Sequence, residues 1–189
     1  QKSAYKSQRA FLIGGERLAY DGFGVIHGFL SIAQLKEVCR RYQVSINEYL
    51  VGVFIWATYR EHYRKVTKKR PIRVAVPVNL RPFFDSNTSK NFFVMISAEF
   101  VPQKEDYSFE EILEITRESL RSQITREHLE QIFSYNVSNE QFLIARALPL
   151  FFKNMVMRII YTQTALANTT TITNIGNIKV QKEYEPYIR

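Results

Sequence analysis

The chain has 189 residues, of which 46% are hydrophobic and 14% aromatic, a composition that supports a buried core and excludes a disordered segment. Lysine and arginine number 26 against 18 aspartates and glutamates, and the resulting net charge of +8 favours acidic partners. The single cysteine, Cys39, excludes an internal disulfide and indicates a reducing compartment, so we expect a cytoplasmic protein.

The first 30 residues predict a connecting arm with two short extended segments, at 8–13 and 24–30, and glycines between them mark turns. Ser31, with Gln34 three residues later, predicts the N-cap of a first helix. Cys39 falls on the apolar face of that helix, so it is expected to be a core residue rather than a nucleophile.

Ser45 and Glu48 form a capping box that opens a second helix. Apolar residues occupy nearly the whole circumference of this helix, so burial on all sides is expected. After a basic turn, apolar side chains alternate along 72–78 and predict a strand, in which Pro77 indicates an edge or a bulge.

A second strand is predicted at 91–101, and because both of its faces are largely apolar, a place in the middle of a sheet is expected. Ser108 with Glu111 forms another capping box. The amphipathic helix that it opens is expected to continue toward Tyr135.

The last third of the chain predicts more helix and one more strand. Ser138 with Gln141 indicates the start of a helix, Pro149 interrupts it before 150–161, and 169–173 form a β-branched strand. This order of elements predicts an α/β (α+β) fold with a mixed sheet covered by helices. The longest apolar stretches are shorter than the roughly 18 residues of a membrane span, so none is expected.

The basic residues have two interpretations. The densest run follows an apolar helix, where cations complement the helix dipole and stay solvated: Arg64, Lys65, Lys68, Lys69 and Arg70. A surface for nucleic acid is the other interpretation, but no recognisable nucleic-acid module accompanies the charge, so no nucleic-acid partner is expected.

The three histidines, His27, His62 and His128, have no Cys, His or Asp partner at metal-ligand spacing, so no metal site is expected. A general base also needs a positioned partner and a pocket, and neither is evident beside them. Structural histidines are therefore the better interpretation. The sequence also lacks a nucleophile elbow, a phosphate-binding loop and a dinucleotide fingerprint, which argues against the ordinary hydrolase, kinase and dehydrogenase classes.

Four segments together resemble one family: Ser-Ile-Asn-Glu-Tyr-Leu at 45–50, Pro-Val-Asn-Leu-Arg at 77–81, Asn91, and Thr-Asn-Ile-Gly at 173–176. In these segments, and in their order and spacing, the chain resembles the carboxy-terminal half of the chloramphenicol acetyltransferase and condensation-domain superfamily, in particular its alcohol O-acetyltransferase-like branch. The resemblance covers nearly the whole chain. It implies that residues 31–189 form the carboxy-terminal lobe of a two-lobed fold, with 1–30 as the arm.

The resemblance implies acyl transfer from a thioester of coenzyme A or an acyl carrier protein to a hydroxyl or amine acceptor. The thioester would be a co-substrate, and no permanently bound cofactor is implied. In the family, a histidine of a His-His-x-x-x-Asp motif takes the acceptor's proton. This chain has no His-His pair and opens on Gln1 rather than Met. We therefore expect a fragment that contains no catalytic residue and is inactive alone.

The resemblance gives Arg81 a supporting role, because the matching arginine of the family pairs with the aspartate of the histidine motif and keeps the catalytic loop in place. A planar guanidinium suits this task, since it holds a carboxylate through two parallel hydrogen bonds. The alternative is an exposed arginine at a strand end.

Further residues are candidates for lining the acyl tunnel: Asn79, Asn91, Thr173, Asn174 and Gly176. Asparagine side chains at such positions also stabilise turns through bonds to the backbone, and a glycine after one also fits simple strand termination. Both interpretations stay open from the residues alone.

The expected partner is the amino-terminal lobe of the same protein, and a homodimer through the exposed lobe interface is a second expectation. The alternative function is a non-catalytic interaction module whose basic surface binds an acidic partner. A His-His-x-x-x-Asp segment ahead of residue 1 would favour the enzyme.

Overall fold

The computed structural model describes residues 9–16, 18–19, 22–65, 70–86, 88, 91–140, 149–176, 181, 183–184 and 187. Its helices are α1 (Ile32–Arg41), α2 (Ile46–Glu61), α3 (Phe109–Gln123), α4 (Arg126–Glu140) and α5 (Leu150–Ala165). Its strands are β1 (Ile72–Asn79), β2 (Phe93–Phe100) and β3 (Thr170–Thr171), and a 3-10 turn at Tyr63–Lys65 follows α2. The fold is α+β, as predicted, with a mixed sheet in the order β2-β1-β3.

Helix starts lie where the sequence predicts them. Ser45 Oγ accepts from the backbone nitrogen of Glu48 at 3.2 Å, and the Glu48 carboxylate accepts from the backbone nitrogen of Ser45 at 2.6 Å. Ser108 and Glu111 form the same reciprocal pair at 3.2 and 2.9 Å. Each capping box satisfies two backbone donors that a helix start would otherwise leave unpaired.

The sheet corrects one prediction, because β2 lies at the edge of the described sheet and β1 lies in the middle. β1 runs antiparallel to β2, from Ile72 opposite Phe100 to Asn79 opposite Phe93, and parallel to β3. Apolar residues on both faces of β2 therefore do not reflect burial on both sides, since alternate side chains of this strand are exposed.

Side chains of α3 cover the outer backbone of β2. Gln123 Nε2 donates to the carbonyl of Ser97 at 2.9 Å, and the backbone nitrogen of Glu99 donates to Ser119 Oγ at 3.2 Å. These contacts replace the strand-to-strand bonds that an edge lacks. They also keep this part of the edge from pairing with another chain.

α2 packs between α3 and the sheet along one face, not on all sides as predicted. Val51 and Ile55 are fully buried, whereas Ala57 on another face is exposed. Gly52 allows close approach, because a Cβ built there would lie 2.6 Å from Leu113 Cδ1 of α3. The apolar residues on the remaining faces of α2 are half-buried.

Three other boundaries differ from the predictions. α3 stops at Gln123, because Ile124 leaves the helical conformation with ψ 55°, and Thr125 Oγ1 then caps α4 by accepting from the His128 nitrogen at 3.3 Å. Ser138 lies inside α4 rather than at a helix start, and its predicted partner at 141 lies outside the described residues. Residues 9–13 and 24–30 form no strand.

In the described part of the arm, Ala10 and Phe11 are buried in the core, and the Ala10 nitrogen donates to the carbonyl of Leu166 at 2.9 Å. Phe11 is buried, and its ring meets that of Tyr63 edge to face with centroids 5.4 Å apart. Its backbone nitrogen donates to the carbonyl of Pro71 at 2.8 Å, and its carbonyl accepts from Thr169 Oγ1 at 2.7 Å. These single bonds hold residues 10 and 11 without forming a ladder, which explains why the extended segment is not a strand.

No helix in the described part of the chain combines the length and the apolar character that crossing a bilayer requires.

Candidate functional site

A cleft of about 330 Å³ lies where β1 ends, next to the start of β2 and the segment after β3. Its lining comes from three separate segments of the chain: Pro77, Asn79, Arg81, Asn91, Phe92, Phe93, Thr173 and Asn174. The structure thus brings together five of the six predicted site residues. Gly176 is not among the lining residues.

The cleft opens because β3 cannot follow β1 to its end. The carbonyl of Arg73 accepts from Thr169 at 2.7 Å, and that of Ala75 accepts from Ile172 at 2.9 Å. By strand alternation Pro77 is the next residue whose backbone faces this edge, and proline has no N–H to continue the ladder. The chain therefore leaves the sheet after Ile172, and the last strand is shorter than the predicted 169–173.

Arg73 holds the residues that lead into β3 against β1 and β2. Its buried guanidinium pairs with Glu99, its cross-strand neighbour on β2, and also donates to the carbonyl of Ala167 at 2.9 Å. One side chain thus connects β1, β2 and the residues that lead into β3. Nε and Nη2 of Arg73 both donate to Oε2 of Glu99, a charge-assisted contact that is stronger than one between neutral groups.

Asn79 both lines the cleft and stabilises a turn. Its Oδ1 accepts from the backbone nitrogen of Arg81 at 3.1 Å and from Arg81 Nη1 at 3.4 Å. Arg81 Nη2 donates to the carbonyl of Thr88 at 3.1 Å, which ties the β1–β2 loop to the rim of the cleft. The two interpretations of Asn79 are therefore compatible, and the Arg81 side chain is exposed at the cleft.

Asn174 also has two roles. Its Oδ1 accepts from the backbone nitrogen of Gly176 at 2.8 Å, an Asx turn that ends the extended segment. Gly176 has φ +76°, a left-handed conformation that glycine adopts without steric cost. Gly176 therefore shapes the turn that carries Asn174 to the cleft.

The lining offers amide, hydroxyl, guanidinium and aromatic groups, which suit binding of a carbonyl or a developing oxyanion. It contains no side chain that would take a proton at neutral pH. His27 is exposed in the arm, His62 is the C-cap of α2, and His128 lies in α4. Burial raises the pKa of the Cys39 thiol, which opposes a role as nucleophile.

Comparison with protein-family models, curated proteins and solved structures finds no match to this chain.

A second cavity of about 260 Å³ adjoins the cleft through two shared lining residues, Pro77 and Asn79. It lies between the start of α2, β1 and α3, and Asn47 is part of its wall. Asn47 Oδ1 is buried and has no hydrogen-bond partner among the described residues. A polar atom in this state costs free energy, so its presence in the wall of this second cavity is not explained by packing alone.

The sequence interpretation singled out neither Asn47 nor Phe92 and Phe93 as lining residues. Helical periodicity could have indicated Asn47. It lies one turn before the apolar residue Val51 on the same face of α2, and Val51 is fully buried. Phe92 and Phe93 carried no such signal, since their contact with 173–174 depends on where β3 leaves the sheet.

Glu48 stands beside Asn47 in the same wall and is anchored by α3. Its carboxylate accepts from Arg121 Nε at 2.7 Å and from Arg121 Nη2 at 3.1 Å. Burial alone would raise the pKa of Glu48, but the hydrogen bonds from Arg121 and Ser45 outweigh it and lower the pKa below its ordinary value. Glu48 is therefore a structural anion that sets the position of the α2 start relative to α3.

In the described part of the chain, no three His, Cys, Asp or Glu side chains come together in a group that could hold a metal ion.

Proposed function

We propose that this chain is the carboxy-terminal lobe of an acyltransferase of the chloramphenicol acetyltransferase type. The reaction is transfer of an acyl group from a thioester of coenzyme A or an acyl carrier protein to a hydroxyl or amine acceptor. The observation that carries the proposal is the cleft at the end of β1, to which three segments distant in sequence contribute Asn79, Arg81, Asn91, Thr173 and Asn174.

The composition of the lining supports a divided active site. Amide and guanidinium groups stabilise negative charge on a carbonyl oxygen, which is one half of the catalysis of acyl transfer. The other half is removal of a proton from the acceptor, and the lining has no group for it. In the proposal, a histidine of an amino-terminal lobe supplies that base, and this chain supplies one wall of the tunnel.

The exposed apolar surface supports a covering lobe. Phe23, Ile26 and Phe29 of the arm and Leu150 and Phe151 of α5 each expose more than two thirds of their surface. Large apolar side chains cluster at interfaces because water contact with them is unfavourable. In the proposal, the amino-terminal lobe packs on this surface.

The observed ion pairs weaken the alternative of a basic interaction module. Six acid–base pairs form among the described residues, and three of them hold Arg73, Arg121 and Lys104 in contacts to Glu99, Glu48 and Glu111. Each pair uses one base and one acid, so the net charge of +8 is unchanged, but the paired basic side chains are already engaged by carboxylates of this chain. The acyltransferase is the better proposal because the polar lining of the cleft at the end of β1 fits it.

The test measures thiol release from acetyl-CoA in the presence of small alcohols and amines. The protein that carries this chain together with its preceding lobe is expected to release thiol, and replacing the second histidine of its His-His-x-x-x-Asp segment by alanine should abolish turnover. The 189-residue chain alone is expected to be inactive. Turnover by the chain alone, abolished by His27→Ala, His62→Ala or His128→Ala, would overturn the proposal.

Arg81 provides a second, independent test in the two-lobed protein. If its guanidinium pairs with the aspartate of the histidine motif, Arg81→Ala leaves that carboxylate unpaired, at a cost of about 3 to 5 kcal/mol. Arg81→Lys should also impair turnover, since an amine cannot restore the bidentate fork. Arg41→Ala, on the exposed face of α1, is the control. If both Arg81 variants had the turnover and the melting temperature of the wild type, Arg81 would be only an exposed residue at a strand end, and its proposed role would be wrong.

A further inference from the structure

A separate cavity of about 270 Å³ lies at the other end of α2, opposite the cleft described above. Its wall combines the end of α2, the 3-10 turn that follows and the start of α3: Trp56, Arg60, Arg64, Asp106, Tyr107, Ser108 and Phe109. The nearest α2 residues in the walls of the two cavities, Glu48 and Trp56, are eight residues apart, about 12 Å along the helix, and this cavity shares no lining residue with either of the cavities described above. The proposed acyl-transfer site therefore does not account for it.

Trp56 and Arg60 are four residues apart on α2, so they share one side of the helix end, and Arg64 of the following 3-10 turn lines the same cavity. The guanidinium carbon of Arg60 lies 5.0 Å from the centre of the Trp56 ring, a cation–π contact that orients the guanidinium without neutralising it. The ring of Phe109 meets the edge of Trp56 at 5.6 Å and fixes the indole. Arg60 is thus preoriented at the cavity.

Arg64 is held only loosely. Its Nη1 lies 3.7 Å from Asp106 Oδ1, and 53% of the Arg64 side chain and 76% of the Asp106 side chain are exposed. An exposed pair at this distance contributes little stability. Two guanidinium groups against one carboxylate leave the cavity wall with a net positive charge.

We propose that this cavity binds a phosphate group, either as free phosphate or as a phosphate monoester of a small molecule, with Arg60 and Arg64 as its ligands. Planar guanidinium groups hold phosphate oxygens through paired hydrogen bonds. A phosphate dianion between Arg60 and Arg64 makes more charge-assisted hydrogen bonds than Asp106 makes with Arg64. The Ser108 oxygen accepts from the Glu111 nitrogen, so its hydroxyl hydrogen remains to donate to the same group. The volume admits a phosphate and part of the molecule that carries it.

The chain provides its own reporter, because Trp56 is its single tryptophan. Titration of the purified chain with inorganic phosphate and with adenosine 5′-monophosphate, at constant ionic strength, is expected to change the Trp56 emission saturably. Adenosine without phosphate is the control ligand. A response to inorganic phosphate assigns the site to free phosphate, and a response to the nucleotide alone assigns it to a phosphate monoester; either supports the proposal.

The variants decide whether the arginines carry the binding. Arg60→Gln and Arg64→Gln should each raise the dissociation constant at least about tenfold, since each removes charge-assisted hydrogen bonds. Arg60→Lys, which keeps the charge, should have a smaller effect, and Arg117→Gln on α3 should have none. Thermal melting of each variant checks the fold. No saturable response, an equal response to adenosine, or unchanged binding in both glutamine variants would overturn the proposal.

Discussion

Glu48 shows how one side chain determines the geometry of the candidate site. Among the described residues it is the carboxylate whose side chain is buried, and it accepts hydrogen bonds from the Ser45 backbone and from Arg121. Arg121 also donates to the carbonyl of Gln43, which has a left-handed φ of +55° in the turn between α1 and α2. The Glu48–Arg121 pair therefore holds the start of α2, which includes Asn47, in a fixed position against α3.

The lowered pKa of Glu48 predicts an acid-sensitive fold. A carboxyl group whose pKa is lower in the folded state than in the unfolded state stabilises the fold at pH values above its ordinary pKa near 4.5. That stabilisation is lost as the pH falls from about 5 through the folded-state pKa. Glu48→Gln should lower the free energy of unfolding by about 1 to 2 kcal/mol at pH 7 and should weaken the dependence of that free energy on pH.

Urea unfolding at pH 7, 5, 4 and 3 measures both effects. Glu37→Gln is the matched control, because Glu37 pairs with Arg41 on the exposed surface of α1. For Glu37→Gln, the free energy of unfolding should keep the wild-type pH dependence and should fall by less than about 0.5 kcal/mol. Equal pH profiles for wild type and Glu48→Gln would show that the Glu48 pair does not contribute as inferred.

At the scale of elements, the contact between α2 and α3 depends on Gly52. Glycine inside a helix costs about 1 kcal/mol relative to alanine, so a buried one indicates a packing requirement. Here a Cβ would lie 2.6 Å from Leu113 Cδ1, and the other nearby atoms of Leu113 lie at 3.6 and 3.7 Å. The close contact is with the end of a flexible side chain, which can move, while the backbone leaves room for one methyl group.

Gly52→Ala should therefore change the free energy of unfolding by less than about 1 kcal/mol, because the gain in helix propensity offsets the displacement of Leu113. Gly52→Val should destabilise by about 2 to 3 kcal/mol, since a second branch cannot avoid α3. Ala57→Val, on the exposed face of the same helix, measures the intrinsic cost of a β-branched residue. Chemical denaturation compares the three variants, and equal losses for Gly52→Val and Ala57→Val would contradict the packing argument.

For the whole molecule, the exposed apolar surface of the arm and α5 predicts self-association of the isolated chain. Ile26 and Phe29 are more than 95% exposed, and Phe151 and Tyr161 of α5 are about three quarters exposed. Water contact with such side chains favours association with another apolar surface. The apparent mass from light scattering should rise with concentration, and a hydrophobic dye should bind.

Phe29→Ser combined with Phe151→Ser should lower both signals, whereas Glu130→Ser on the exposed side of α4 should leave them unchanged. A strictly monomeric chain at high concentration, with no dye binding, would show that this surface is not an unpartnered interface.

The sequence by itself determined the features that depend on residues close together along the chain. The capping boxes at Ser45 and Ser108 join side chain and backbone only three residues apart, so the helix starts are the same in any packing. The burial of Cys39 follows from helical periodicity in the same way. The predicted cleft residues came from a family resemblance, and their convergence could not be read from local pattern.

Tertiary structure decided what depends on distant segments. β2 lies at the edge because β3, nearly 100 residues after β1, pairs with the other side of β1, and no local pattern in β2 encodes that choice. The cleft exists because Pro77 lacks the N–H that β3 would need, a consequence that appears only once β3 is in place. Residues far apart in sequence meet through the packing of the whole chain, and that meeting determines which polar atoms line a cavity.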